Sequence, residues 1–193
     1  MAILGRKQRR GLPSRIGAWV WPSGGWRRAS RYLAMRLSRI PGTPYSLAAG
    51  FSWGAFTSFL PFPGLHFIMA AIFALATRAN VLAAAIGTVV GNPWTFPFIW
   101  VGTYELGAWL GFGAEGVNFA DTWGRAFEAG IDGRFATFLE TAQPLLLAMT
   151  VGGAVLGAVA WGTFFIMLAP LVRAYQRRRR GRIARARAGD VEA

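Results

Sequence analysis

The 193-residue chain combines 54% apolar residues with only 15% charged residues, and its Lys and Arg outnumber its Asp and Glu by 21 to 8. Most charges lie at the ends: residues 1–44 hold ten cations and no acid, residues 173–193 hold eight cations and two acids, and the 128 residues between hold nine charges. So few central charges, against about 25% in soluble domains, exclude an ordinary soluble domain and a disordered chain, and the absence of Cys excludes disulfides, thiolate metal sites and a Cys nucleophile.

The basic N-terminal segment is predicted to have two parts. Residues 1–25 are predicted to be disordered. Residues 26–40 are predicted to form an amphipathic helix in the lipid headgroup region, because Trp26, Leu33 and Ile40 share one helical face and the arginines fall on the other.

Residues 45–172 are predicted to form the membrane domain of an all-α integral membrane protein, a small helical bundle with proline-broken helices and interfacial amphipathic helices. About 20 apolar residues are needed to cross a hydrocarbon core of about 30 Å, and three uncharged stretches have that length. Only residues 144–172 are predicted to form an uninterrupted transmembrane helix, with Pro144 in its first turn.

Proline interrupts the other two uncharged stretches. Each internal Pro removes a helical hydrogen bond and clashes with the preceding turn, so residues 45–77 are predicted to form a re-entrant hairpin and residues 80–112 a broken span. Irregular backbone at membrane depth is tolerated only where it is buried in protein or lines a wet cavity, so the breaks predict an interior site. The predicted helix-break positions are Pro61, Pro63, Gly64, Pro93 and Pro97.

Charge asymmetry predicts the topology. Arg-rich segments beside apolar spans stay in the cytoplasm, so we expect a multi-pass membrane protein with both termini cytoplasmic and an even number of crossings. Two crossings are preferred; four crossings, with residues 45–77 forming two short tilted spans, are the alternative. Residues 114–143 are then an outer loop of two short amphipathic helices, the first capped by Asn118 or Asp121 and the second by Asp132.

The C-terminal segment, residues 173–193, is predicted to be an Arg-rich cytoplasmic tail. A polybasic run directly after a span is attracted to anionic lipid by about 1 kcal/mol per cation. Both Arg-rich ends are therefore expected to bind anionic headgroups, and nucleic acid is not the expected partner. A chain of 193 residues is too short to enclose a wide pathway alone, so a homo-oligomer or a membrane partner is expected.

Polar residues inside the apolar stretches form the candidate site, because ionisable groups at membrane depth are costly and mark function. Arg78, Asn80 and Asn92 also fit structural roles at helix ends, whereas His66 and Glu105 have no evident capping role. The candidate ligand-binding residues are His66, Arg78, Asn80, Asn92, Thr95 and Glu105. The sequence has no phosphate loop, nucleophile elbow or zinc motif, so no catalytic residue, metal or cofactor is predicted.

Glycines recur at four-residue spacing in the apolar stretches. Because small residues let helix backbones approach closely, these pairs predict close helix packing. The pairs are Gly50/Gly54, Gly87/Gly91, Gly107/Gly111 and Gly153/Gly157.

The motifs at the two breaks also carry a family resemblance. The run GFSWGAFTSFLPFPGLH at Gly50–His66, followed by RAN at Arg78–Asn80 and GTVVGNPWTFP at Gly87–Pro97, resembles the bacterial membrane family catalogued as domain of unknown function 2062. The resemblance covers roughly residues 30–172 and implies a location in the bacterial inner (cytoplasmic) membrane. The family has no agreed activity, and the glycosyltransferase-like domains joined to similar proteins imply a connection to envelope glycan or lipid-carrier metabolism.

Two classes of function fit these features. Neighbouring proline-broken segments indicate a midplane binding site in transporters, where half-helix ends face a ligand. Free N–H groups after Gly64 and near Thr95 favour an anionic ligand such as a lipid phosphate, with His66 and Arg78 as partners. We therefore expect transport or translocation of an anionic lipid or small solute; the alternative is a non-transporting scaffold or accessory subunit for a cell-envelope enzyme. Enzymatic activity of the chain itself is not expected.

Overall fold

The computed structural model describes residues 40–62, 64–114 and 116–189, with side chains described as far as residue 182. The described residues form helices and no strand, as predicted. The predicted disordered segment, residues 26–39 of the predicted interfacial helix, and Pro63 lie outside them. The helices are α1 Pro44–Thr57, α2 Leu65–Ala76, α3 Val81–Gly87, α4 Phe96–Gly107, α5 Phe119–Ile131 and α6 Phe135–Gly189. A 3₁₀ turn, Thr88–Val90, extends α3, and a π-helical turn, Ala108–Phe112, extends α4.

Helix α1 is the central helix of the bundle. It begins where Thr43 Oγ1 accepts a hydrogen bond from the Ser46 N–H (3.1 Å), and Pro44 lies in its first turn, where the missing N–H has no helical partner to lose. Most of α1 is buried because α2, α3 and α6 all pack on it. Apart from Leu47 and Phe51, its buried residues are Ala, Gly, Ser or Thr, which allows this close approach.

α1 and α2 form a helical hairpin. After α2 the chain has returned to the first turn of α1, because the Asn80 N–H donates to the Ser46 carbonyl oxygen (2.9 Å). Across the hairpin the Trp53 ring stacks on Phe73 (4.9 Å between centroids), and its Nε1–H donates to Thr77 Oγ1 (2.9 Å). With 14 and 12 residues, α1 and α2 are about 21 and 18 Å long, shorter than a hydrocarbon core of about 30 Å.

α1 and α3 run parallel with their backbones in direct contact. A Cβ at Gly50 would overlap the Asn80 carbonyl oxygen, and a Cβ at Gly54 would overlap the Ala84 carbonyl oxygen. Four residues along α1 thus correspond to four residues along the start of α3, so the two helices point the same way. This contact requires glycine on the face of α1 that meets α3.

The other predicted glycine pairs mostly confirm close packing. A Cβ would meet backbone or a neighbouring ring at each of the following positions: Gly87 against Phe51, Gly91 against Ser58, Gly107 against Ala148, Gly153 against Phe59, and Gly157 against Phe56. Gly111 is the exception. It has φ +91° in the π-helical turn and no atom near the position of a Cβ, so its role is conformational.

α6 runs antiparallel to α1. The Phe51 ring meets the Phe164 ring (5.3 Å between centroids), and further along α1 the Phe59 carbonyl lies against Gly153. Along this contact, higher residue numbers on α1 lie beside lower residue numbers on α6. The end of α1 therefore lies beside the middle of α6.

α3 and α4 together form one broken segment that advances in a single direction along α6. Ala83 of α3 lies in the cluster that contains Leu168, and Gly107 of α4 lies against Ala148. The 20 residues from Leu168 to Ala148 correspond to about 30 Å of helix, which is also the approximate thickness of a hydrocarbon core. Residues 81–107 therefore have the reach of one crossing.

α6 is longer than the predicted transmembrane helix, which covers residues 144–172. It continues through Pro144 and Pro170 without interruption, although each internal Pro removes a hydrogen bond. Tertiary packing offsets that cost, because Ala142 and Leu145 on either side of Pro144 are fully or almost fully buried. The second short helix predicted for the outer loop is therefore the first part of α6.

The predicted caps of the outer loop had different outcomes. Asn118 caps α5, since its Oδ1 accepts a hydrogen bond from the Asp121 N–H (3.1 Å). Asp132 does not cap the following helix. It ends α5, and its carboxylate pairs with the exposed Arg134 guanidinium (2.9 Å).

Large apolar side chains cover much of the outer surface. Within the described residues, α6 is the one helix long and apolar enough to cross a membrane, over Phe135–Arg182. Only 22% of its most apolar window is buried in the protein, which distinguishes it from the core helix of a soluble domain. On α2, five large apolar side chains are more than half exposed: Leu65, Phe67, Ile68, Ile72 and Leu75. α6 is thus a possible membrane span.

Candidate functional site

The two helix breaks lie side by side. The first break is residues 58–64, between α1 and α2, and the second break is residues 91–95, before α4. Ser58 Oγ, at the start of the first break, lies 3.3 Å from the Thr88 carbonyl oxygen. Gly91, at the start of the second break, lies directly against the Ser58 side chain. The parallel packing of α1 and α3 therefore brings the two breaks together.

His66 is buried where the breaks meet. It is only 5% exposed, and its Nδ1 accepts a hydrogen bond from the Gly64 N–H (3.1 Å). Gly64 has φ +87°, which favours glycine. With Nδ1 as the acceptor, the proton of the neutral ring is on Nε2, and the Phe62 backbone is a second polar neighbour of the ring. The ring packs on Phe67 and, across the junction, on the edge of Phe96 (6.0 Å between centroids).

In the second break, Asn92 and Thr95 satisfy the local backbone. Asn92 Oδ1 accepts hydrogen bonds from the N–H groups of Trp94 (3.0 Å) and Thr95 (3.2 Å), and the Asn92 carbonyl accepts one from Phe96 (2.9 Å). Thr95 Oγ1 accepts from the Asn92 N–H (3.0 Å) and donates to the Val90 carbonyl (2.6 Å). The N–H groups of Trp94, Thr95 and Phe96 are therefore not free, contrary to the prediction, because Asn92 accepts a hydrogen bond from each of them.

The prolines have unequal roles in the breaks. Pro61 is buried in the first break, and Pro93 lies in the turn of the second, both between helices as predicted. Pro97 instead lies in the first turn of α4, a position that Pro tolerates. It therefore starts a helix and does not break one.

Asn80 lies at the opposite end of α2 from the breaks. The 12 residues of α2 separate the two places by about 18 Å. Asn80 Oδ1 caps α3 by accepting from the Ala83 N–H (2.9 Å), and its Nδ2 donates to the Pro41 carbonyl (3.1 Å). All of these bonds are structural, so the structural alternative for Asn80 holds.

Arg78 also lies at that end, directly after α2. It is exposed and adopts φ +54°, the one non-glycine residue with positive φ among those described. Its N–H donates to the Leu75 carbonyl (3.1 Å) and the Ala79 N–H donates to the Ala74 carbonyl (2.7 Å), the bonds of a helix end that usually carries glycine. Arg78 thus adopts a left-handed backbone conformation that usually carries glycine, and its side chain is exposed.

We expect Arg78→Gly to be about 1 kcal/mol more stable than Arg78→Ala, because only glycine adopts the left-handed conformation without strain. Both variants remove the guanidinium, so their difference isolates the backbone effect. Thermal unfolding of the purified proteins in one detergent measures it. Equal unfolding temperatures for the two variants would contradict the left-handed placement of residue 78.

Glu105 is separate from both groups. It is exposed on α4, nine residues beyond Phe96, a distance of about 13 Å along the helix. The ion pair found among the described residues joins Arg134 and Asp132 and does not involve Glu105. The six predicted site residues therefore fall into three places: the breaks, the end of α2, and the surface of α4.

Aromatic residues near the breaks were not predicted as part of the site. The Phe96 ring stacks on Trp100 (4.9 Å between centroids), which meets Trp123 of α5 (4.6 Å). The four-residue spacing that places Phe96 and Trp100 on one face of α4 is the sequence signal for this contact.

Three buried polar atoms lack a hydrogen-bond partner in the described part of the chain: Ser52 Oγ, Trp100 Nε1 and Trp161 Nε1.

Together, the fold and the site define an all-helical protein with a possible membrane span, in which two broken segments meet beside a buried His. The chain belongs to the bacterial family described as "Uncharacterized protein conserved in bacteria (DUF2062)", which matches residues 27–181. The resemblance seen in the break motifs is confirmed by this match. Neither a curated protein nor a solved structure matches the chain. Among the described residues, no group of three or more His, Asp or Glu is placed to hold a metal ion.

Proposed function

We propose that this is a multi-pass protein of the bacterial inner membrane that translocates an anionic lipid or small anionic solute past the junction of its two helix breaks. The observation that carries the proposal is the meeting of both breaks beside His66. Broken helices that meet near the membrane midplane are the arrangement in which transporters bind substrate. A link to envelope metabolism follows from this ligand class.

The proposed topology has two crossings and a re-entrant hairpin. α1 and α2 are each too short to cross the membrane. The hydrogen bond from the Asn80 N–H to the Ser46 carbonyl indicates that the end of the hairpin lies at the same depth as its start. The α3–α4 segment then crosses once and α6 crosses back. Gln176 Nε2 donates to the Gly42 carbonyl (3.0 Å), so the Arg-rich end of α6 and the start of α1 share one side. The positive-inside rule favours the cytoplasm for that side.

Single cysteines test this topology, since the chain has none of its own. Asp132→Cys, in the exposed loop between α5 and α6, is expected to react with a membrane-impermeant maleimide in intact spheroplasts. Arg182→Cys is expected to react only after permeabilisation. Phe62→Cys in the first break is expected to resist labelling from outside. Outside labelling of Phe62→Cys at the rate of Asp132→Cys would support four crossings and contradict the hairpin.

The chemistry of the junction favours a ligand with hydrogen-bond acceptors and an apolar part. The His66 ring offers a hydrogen-bond donor at Nε2, and the rings of Phe67 and Phe96 lie against the imidazole. Neither break contains Asp or Glu, so no carboxylate within them repels an anion. A phosphate or carboxylate oxygen carried by a lipid meets both requirements.

His66→Asn is expected to keep the fold and lose about tenfold in translocation rate, since a hydrogen bond to a charged group is worth about 1.5 kcal/mol. The Asn oxygen replaces Nδ1 as acceptor for the Gly64 N–H, while nothing replaces the Nε2–H. His66→Gln, whose amide nitrogen reaches the Nε2 position, is expected to retain part of the rate. The assay is dithionite accessibility of fluorescent phosphatidylglycerol in liposomes that contain the purified protein.

Two results would overturn this proposal. One is a wild-type protein that moves neither anionic lipid nor small anions across liposomes. The other is His66→Asn translocating as fast as the wild type. Glu105→Gln in the same assay tests the second ionisable candidate.

A non-transporting scaffold for a cell-envelope enzyme is the second candidate. The hydrogen bonds within the second break favour it, because Asn92 and Thr95 satisfy the backbone without a ligand. Direct backbone contact at Gly54 also suits a break that serves packing alone. Liposomes that show no translocation, combined with co-purification of one membrane enzyme, would support the scaffold.

A further inference from the structure

Five aromatic side chains of α1, α2 and α6 form a continuous surface over α1, which we call the aromatic groove: Tyr45, Trp53, Phe73, Trp161 and Phe165. α2 and α6 both pack on α1 but hardly touch each other. Trp53 of α1 stacks on Phe73 of α2 (4.9 Å between centroids) and meets Trp161 of α6 (5.5 Å). Towards the start of α1, Trp161 stacks on Phe165 (5.0 Å), which meets Tyr45 (5.8 Å). Each of these five side chains is partly exposed, so the groove is accessible from the outer surface.

Arg78 lies at one end of this aromatic groove. Trp53 donates a hydrogen bond to Thr77, the residue before Arg78. The Asn80–Ser46 hydrogen bond places this end of α2 beside the first turn of α1, where Tyr45 lies. Arg78 is the one Lys or Arg between Arg39 and Arg125. It is exposed, and no carboxylate of the described residues pairs with it. A guanidinium at the mouth of an apolar groove matches a molecule with an anionic head and an apolar chain.

The depth of the groove also matches a lipid. From Tyr45 to Phe56, which meets both Trp53 and Phe73 (5.4 and 5.8 Å between centroids), α1 extends by 11 residues, about 16 Å. One leaflet contributes about 15 Å of hydrocarbon, half of a core of about 30 Å. One acyl chain of the leaflet that contains Arg78 therefore spans the groove.

We propose that the aromatic groove binds one anionic phospholipid, with its phosphate at Arg78 and an acyl chain along Trp53, Phe73 and Trp161. The inference rests on the proposed function for the cytoplasmic position of Arg78, and it names the site at which the anionic lipid first docks. The phosphate position at Arg78 lies about one length of α2 from the break junction, whereas the inner end of the groove at Phe56 lies two residues before the first break.

Photolabelling of the full-length protein in nanodiscs tests this site. The probe is phosphatidylglycerol with a diazirine near the middle of one acyl chain, and adducts are mapped by peptide mass spectrometry. Adducts are expected on groove residues of α1, α2 and α6, and unlabelled phosphatidylglycerol is expected to compete better than phosphatidylcholine. Arg78→Gly, which suits the left-handed backbone, is expected to lower groove labelling about fivefold, the effect of one cation at an anionic surface. Arg78→Lys is expected to retain most of it.

Three outcomes would overturn the groove proposal. Labelling spread equally over the outward face of α2, at Phe67, Ile68 and Ile72, would indicate only the surrounding bilayer. Equal competition by both lipids, or full labelling of Arg78→Gly, would remove the role of the guanidinium. A stable dimer in native mass spectrometry with an unlabelled groove would assign this surface to a second copy of the chain.

Translocation assays on the same variants separate this site from the proposed function. Groove labelling without any translocation by the wild type would refute translocation and retain the lipid site. Normal translocation by a variant that has lost groove labelling would refute the docking site and leave translocation standing.

Discussion

Gly54→Ala is expected to destabilise the protein by about 3 kcal/mol, the upper part of the range for forcing a methyl group into a packed core. The added Cβ would overlap the Ala84 carbonyl oxygen and approach the Thr88 N–H. Both obstacles are backbone atoms, so a rotamer change cannot relieve the overlap. Relief requires α3 to move away from α1, which would also separate the two breaks. Thermal unfolding in detergent, followed by circular dichroism, measures the loss.

Gly162→Ala is the matched control for this prediction. Gly162 lies inside α6 with no atom within 4 Å of an added Cβ. There Ala is expected to stabilise the helix by about 0.5 to 1 kcal/mol, because Gly loses more conformational freedom on folding. If both variants shifted the unfolding temperature in the same direction, backbone contact between α1 and α3 would not be the cause.

Asn92→Ala is expected to destabilise the second break by about 1 to 2 kcal/mol, because two of the three hydrogen bonds of its side chain are exposed and losing a capping side chain of this kind costs about that much. The substitution leaves the N–H groups of Trp94 and Thr95 without their acceptor, and it leaves the Val89 carbonyl without the Nδ2 donor. Water is a poor substitute if the break lies at membrane depth. The measurement is again the unfolding temperature of the purified protein.

Asn92→Asp separates the two halves of this network. Its carboxylate retains the acceptor for Trp94 and Thr95 but loses the donor to Val89, so its stability is expected to lie between those of the wild type and Asn92→Ala. A double-mutant cycle with Thr95→Val is expected to give a coupling energy of about 1 kcal/mol, because Asn92 Oδ1 accepts from the Thr95 N–H while Thr95 Oγ1 accepts from the Asn92 N–H, so both side chains stabilise the same turn. Stability of Asn92→Ala equal to that of Asn92→Asp would show that the acceptor bonds contribute little.

Local rules predicted the helix ends that depend on neighbours in sequence. Asn80 and Asn118 cap helices because their side-chain oxygens reach an N–H three residues along the chain. Asp132 looked equivalent by the same rule, yet its carboxylate bonds to the Arg134 guanidinium. Its backbone already ends α5, and this competition between two helices is not visible in one local pattern.

The position of the candidate site was only partly predictable. Pro61 and Pro93 marked the two breaks correctly, because proline acts on its own helical turn. His66 was singled out as a polar residue in an apolar run, and its place between the breaks depends on the packing of α1 against α3. Arg78 was grouped with His66, yet the length of α2 separates them. Residue type identified these candidates, and the direction of each helix determined which of them are neighbours.

By itself, the sequence determined an all-helical chain with a charge-poor apolar middle, two proline breaks and glycine faces suited to close packing. These features follow from composition and from interactions over one helical turn. Only the tertiary structure decided that the breaks meet and that α6 runs unbroken through Pro144 and Pro170. It also showed that Asn92 accepts the hydrogen bonds of N–H groups that a ligand was expected to use. Those outcomes depend on contacts between residues far apart in sequence, above all the backbone contact of α1 with α3 at Gly54.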